Sequence, residues 1–162
     1  MADGVFIKLE GIDELKRALA DASATIRKKA VRGALREAGK VIQVAAKAKA
    51  PMLKFPAPYR KSGTVKKNIL VRASKFARRA GDEGVYINVR GIRGAARIAK
   101  LGKAGSKNPN DPFYWRFLEL GTKKMAARPF LRPAAESKGE EAVKTFMRSV
   151  IPQIQKLNKR KP

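Results

Sequence analysis

The run from Tyr114 to Pro133, YWRFLELGTKKMAARPFLRP, constrains this chain more than any other stretch. Its aromatic, glycine and proline residues follow neither the two-residue period of a strand nor the 3.6-residue period of a long helix. It reads as a corner. Tyr114, Phe117 and Leu118 with Trp115 and Leu120 predict a short helix of two turns, closed by Gly121, a residue free to take the left-handed conformation at a helix end. Thr122 leads the chain away. Arg128 and Arg132 each precede a proline and are biased toward extended backbone, while Pro133 suits the first residue of a following helix. Phe130 and Leu131 are expected to anchor the corner, either in the core or in a subunit interface. Glu119 is the one carboxylate amid these aromatics and arginines. An ion pair with Arg128 or Arg132, made by charge-assisted hydrogen bonds, explains it better than catalysis does.

Composition bounds the rest. A chain of 162 residues lies in the one-domain range and can bury a core of its own, so 1–162 is expected to be a single domain. No apolar run approaches the roughly 18 residues of a membrane span, and the N-terminus lacks a signal-peptide apolar stretch, so the chain is expected to be made in the cytoplasm and to need no membrane. The 38 Lys and Arg against 13 Asp and Glu give +25. That excess is pervasive: residues 1–60 carry +7, 61–111 carry +10 and 112–162 carry +8. Such a surface calls for an anionic partner, nucleic acid first, and opposes self-association at low salt unless apolar contacts or acidic neighbours overcome the repulsion.

Alternation of Val5, Ile7 and Leu9 predicts a first strand, and Asp13 a short helix start. From Thr25 to Lys49 the apolar positions Ile26, Ala30, Ala34, Ala38, Ile42 and Ala46 recur at helical spacing until Pro51. The segment Lys54–Gly63 is read as a loop. Ile69, Val71 and Ala73, then Val85, Ile87 and Val89, alternate as an antiparallel hairpin with a charged tip at Arg78–Gly84 that can reach a neighbouring subunit. Gly91–Asp111 carries four glycines and little apolar content and is read as a long, mobile basic loop. Ala142, Val143, Phe146, Val150 and Ile154 mark a second long helix, in which Pro152 is expected to place a kink, and 156–162 form a basic tail. The expected fold is α+β: a small, mainly antiparallel sheet of three to four strands packed by two long helices.

With no cysteine and no histidine, the chain lacks thiolate chemistry, the commonest metal ligands and the usual general base. No enzyme, metal or cofactor is expected. Gly102, Lys103 and Gly105 do not follow the order of a phosphate-binding loop. Arg90, Arg93, Arg97, Lys100, Lys103 and Lys107 are candidates for contacts to DNA phosphates or to an acidic neighbouring ring.

Phe117, Glu119, Gly121, Thr122, Met125, Ala127, Arg128, Pro129, Phe130, Leu131, Arg132, Pro133 and Ala134 together resemble the signature of a family of long-tailed phage tail-component proteins, typified by the gene-10 product of phage Hong Kong 97. Gly11 with Leu15, and Ala50–Pro51 followed by Ser62–Gly63, are similar to further family positions. The spacer Met52–Lys61 is longer than the family's, Ser62 stands where the family usually has threonine, and 91–111 looks like an insertion. The resemblance implies a structural virion protein at the head-tail junction, a tail-completion or neck component. By analogy with tail tubes it implies a hexameric ring that joins the tail tube or tail terminator to the head connector around the DNA passage. Phe117, Glu119, Gly121, Thr122, Arg128, Pro129, Phe130, Leu131 and Pro133 are then the candidate subunit interface. The competing reading from charge alone is a free, nonspecific nucleic-acid-binding protein.

Overall fold

The computed structural model describes residues 12–53, 55 and 58–159. The strand expected at Val5–Leu9 lies outside them, as do parts of the 54–63 loop and the end of the basic tail. The elements run α1 (Ile12–Asp21), α2 (Ala24–Lys49), α3 (Thr64–Asn68), β1 (Ile69–Ala73), α4 (Lys75–Arg79), β2 (Val85–Val89), α5 (Ala95–Leu101), α6 (Trp115–Leu120) and α7 (Leu131–Asn158). This is an α+β chain. Among the described residues the sheet has two strands, β1 and β2, where three to four were expected. The hairpin is antiparallel, with Arg90 N–H donating to Asn68 and Ser74 N–H to Gly84 at its two ends.

The chain divides into two compact units, and the division runs through α2, the hairpin and α7. One unit holds the described residues up to Val41, with Ala73–Tyr86 and the chain from Lys138 onward. Its core is helical: Leu15 of α1, Ala30 and Ala34 of α2, and Val150 and Ile154 of α7 are buried together. The i, i+4 alanines of α2 and the i, i+4 pair of α7 are the stripes that the sequence pattern marks. Gly33 permits a close approach here, since a Cβ would stand 3.0 Å from Gln153 Oε1. Gln153 in turn donates to Glu37 at 2.7 Å. α7 continues as helix through Pro152.

The other unit holds Ile42–Arg72 and Ile87–Ser137. Ala46 and Ala50, Val65, Ile69, Val89, Phe130 and Ala134 form its core, with Tyr114, Trp115 and Leu118 against it. Gln43 Nε2 donates to the Ile69 carbonyl at 2.6 Å, fixing the end of α2 on the base of the hairpin.

Candidate functional site

The corner is built by backbone groups rather than by charge pairs between side chains. α6 stops at Gly121, whose φ of 75° and ψ of −178° belong to a region that is essentially glycine's alone. The positive φ was expected, whereas the extended ψ departs from a left-handed helix cap. Thr122 and Met125 then bridge to each other, and Arg128 N–H returns to the Leu118 carbonyl at 2.7 Å. A Cβ on Gly121 would lie 2.9 Å from Ala127 N and 3.0 Å from Met125 O, so this return passes where only glycine fits.

Glu119 sits at the start of α7. Its Oε2 accepts the N–H groups of Phe130 at 2.8 Å and Leu131 at 3.0 Å, and its Oε1 accepts that of Arg132 at 2.9 Å. A helix leaves its first four N–H groups unpaired. Here three of them end on one carboxylate, and the fourth position is Pro133, which has no N–H. The anion also faces the positive end of the helix dipole. The ion pair expected between Glu119 and Arg128 or Arg132 is therefore corrected: the carboxylate binds main-chain amides, and the Arg132 guanidinium goes to Glu136 at 2.9 Å.

The corner has two faces. Phe130 is fully buried in the core, with Leu131, Leu118 and Trp115 beside it. Phe117 is 49% exposed and Leu120 78% exposed, with Met125 also outside, and Thr122, Arg128 and Pro129 are exposed with them. Pro133 is half-buried in the first turn of α7. Of the expected interface residues, the structure thus puts Phe130 inside and leaves Phe117 accessible.

The basic segment 91–111 is folded rather than an open loop. α5 occupies its middle. Asp111, only 3% exposed, accepts from Gly105 N–H at 2.9 Å and, at the longer 3.5 Å, from Ile92 N–H. Asn108 Nδ2 donates to the Leu101 and Lys103 carbonyls at 2.7 and 2.8 Å. From the preceding loop, Arg60 donates to the Ser106 carbonyl at 3.1 Å and lies 4.9 Å from the ring centre of Phe113 and 4.8 Å from that of Tyr114. Burial raises the Tyr114 hydroxyl above its ordinary pKa, against the opposing pull of Arg60. Polar staples do here what apolar burial does elsewhere, which is why apolar content alone suggested mobility.

Arg90, Arg93, Lys100, Lys103 and Lys107 are exposed, as a phosphate-contacting role needs. Arg97 differs. It is half-buried and donates to Asn68 Oδ1, and burial together with neighbouring Arg90 holds its pKa below the ordinary value despite the attraction of Asp111. Sequence reasoning missed Asp111, Asn108 and Arg60. The only trace of the first two was their place in an Asn- and Pro-rich turn after the basic run.

In the other unit the hairpin tip is also organised. Ser74 caps α4 by accepting Ala77 N–H at 3.1 Å. Arg32 of α2 grips Glu83 through two hydrogen bonds, Nε–Oε2 at 2.7 Å and Nη2–Oε1 at 2.5 Å. On that fixed tip Phe76 is 85% exposed, flanked by exposed Lys75, Arg78 and Arg79.

Among the described residues there is no cluster of His, Cys, Asp or Glu arranged to hold a metal ion. Among them, no helix is long and apolar enough to cross a membrane. A family model described as "Bacteriophage HK97-gp10, putative tail-component" matches residues 13–121, more than half of the chain. That span includes the basic segment and α6, while the corner beyond Gly121 lies outside it. No curated protein and no solved structure matches the chain.

Proposed function

The chain belongs to the HK97-gp10-like family of bacteriophage tail components, and from that premise we propose that it is a tail-completion or neck protein of the head-tail junction. In this reading it is in the host cytoplasm before assembly and becomes a hexameric ring of the virion. The ring joins the tail tube, or its terminator, to the head connector and surrounds the DNA passage. Its role is structural rather than catalytic.

The observation that carries the assembly is the exposure of large apolar side chains on rigid supports. Phe117 and Leu120 stand outside a helix whose end is fixed by Gly121 and Glu119, and Phe76 stands outside a tip fixed by Ser74, Arg32 and Glu83. An isolated exposed leucine needs no explanation, but a phenylalanine held out on a capped tip is already ordered for burial by a partner. A closed ring repeats one heterologous contact around its axis, which requires two different patches on each copy. The +25 charge sets the condition, because copies approach only when salt or acidic neighbours screen it.

Native mass spectrometry of the purified chain, from low to high salt and with the tail-tube protein added, tests this reading. A hexamer that grows with salt or with the tube protein supports it; a monomer under every condition contradicts it. A free nucleic-acid-binding role is the second reading, favoured by the charge and by the exposed Arg90, Arg93, Lys100, Lys103 and Lys107.

A further inference from the structure

Two concave sites in the unit that holds the corner are lined by lysines and by no carboxylate. The smaller is a notch of ≈ 190 Å³ to which Lys61, Lys67, Ser62, Asn68 and Asn110 bring polar groups. The larger, of ≈ 540 Å³, is walled by residues 103–109 and brings Lys103 and Lys107. The basic segment supplies the whole wall of the larger site and part of the wall of the notch. None of the four lysines forms an ion pair with a carboxylate among the described residues.

We propose that the notch between Lys61 and Lys67 seats a backbone phosphate of duplex DNA, with Lys103 and Lys107 continuing the contact along the strand. Its volume is that of roughly six water molecules at about 30 Å³ each, room for a phosphodiester group and its remaining hydration. A further cation stands behind the notch with part of its hydrogen bonding unmet. Arg97 donates to Asn68, a residue of the notch wall, while its buried Nε has no acceptor. The nearby carboxylate, Asp111, attracts it while accepting from Gly105 N–H.

The chemistry selects backbone over bases. The Ser62 hydroxyl already donates to the Leu53 carbonyl and the Asn68 amide to the Thr64 carbonyl, which leaves the two ammonium groups and the Asn110 side chain to meet an occupant. Ammonium groups hold phosphates without reading sequence. Neither site is lined by an aromatic side chain, and the nearby rings of Phe113 and Tyr114 are occupied by Arg60. The base-stacking platform typical of single-strand binders is therefore missing from these walls. The proposal stands apart from the ring reading, because it concerns the purified chain itself.

The test is fluorescence anisotropy of the full chain with a labelled random-sequence duplex, from about 50 to about 200 mM salt. Lys61→Gln/Lys67→Gln is compared with Lys29→Gln/Lys40→Gln, which removes the same charge from exposed α2 positions in the other unit. Losing the one seated phosphate makes the log–log salt slope shallower by about 0.9. The deficit of the Lys61/Lys67 variant against wild type then shrinks about 3.5-fold between the two salt concentrations. The α2 variant is expected to keep the wild-type slope. Equal slopes and affinities for the two double variants overturn the site, and tighter binding of a single-stranded oligonucleotide than of the duplex overturns the occupant. Circular dichroism confirms that both variants fold.

Discussion

Oε2 of Glu119 lies 2.8 Å from the main-chain nitrogen of Phe130, and through that contact the end of one helix fixes the beginning of another. The same carboxylate holds Leu131 and Arg132, so its removal leaves three helix-start amides to find water instead. Glu119→Gln is expected to cost about 1–2 kcal/mol and Glu119→Ala about 2–3 kcal/mol. Glu136→Gln, which breaks only an exposed pair, should cost under about 0.5 kcal/mol. Urea unfolding curves of the three variants check the order.

Gly121→Ala places a Cβ against the backbone of Ala127 and Met125 at a φ of 75°. The neighbours are main-chain atoms and cannot rotate aside, so the variant should lose about 2–4 kcal/mol. Gly139→Ala, with open space around the new methyl inside α7, should gain about 0.5–1 kcal/mol. Thermal unfolding midpoints moving in opposite directions confirm both.

Much of the fold was legible where side-chain periodicity decides it. Ile69–Ala73 and Val85–Val89 are strands because their alternation matches a pleat, and α2 and α7 follow their alanine and mixed apolar stripes. The short helices α3, α4 and α5 were not legible. At five to seven residues they depend on local caps and on contacts from distant segments, such as Ser74 on Ala77 and Asn68 on Arg97. At the site, the positions in the corner were recognisable, but the partners of Glu119 were not. A sequence shows the nearby arginines and hides the amides, whose availability follows from where the helix starts and from prolines on either side.

The Arg32–Glu83 pair gives stability a pH dependence of known sign. The hydrogen bonds from Arg32 hold the Glu83 carboxyl below its ordinary 4.5, outweighing the effect of its burial. Its contribution is complete above the unfolded value and fades as pH falls through the lower folded value. Glu83→Gln should therefore lose about 2 kcal/mol near neutral pH and progressively less below about 4.5. Urea midpoints across acidic pH check this; parallel curves for variant and wild type would contradict it.

Phe130 and Phe117 should separate core from surface. Phe130→Ala empties a fully buried site and is expected to cost about 3–5 kcal/mol. Phe117→Ser and Phe76→Ser should leave unfolding within about 0.5 kcal/mol of wild type. They are expected to abolish hexamer formation in native mass spectra. Assembly unaffected by either serine variant would remove these side chains from the interface.

The most direct measurement is quantitative mass spectrometry of purified phage particles that encode this chain, after nuclease and high-salt washing. A tail-completion ring predicts that the protein persists at a fixed stoichiometry of one ring per particle. Its absence from washed particles that carry complete tails would contradict the account.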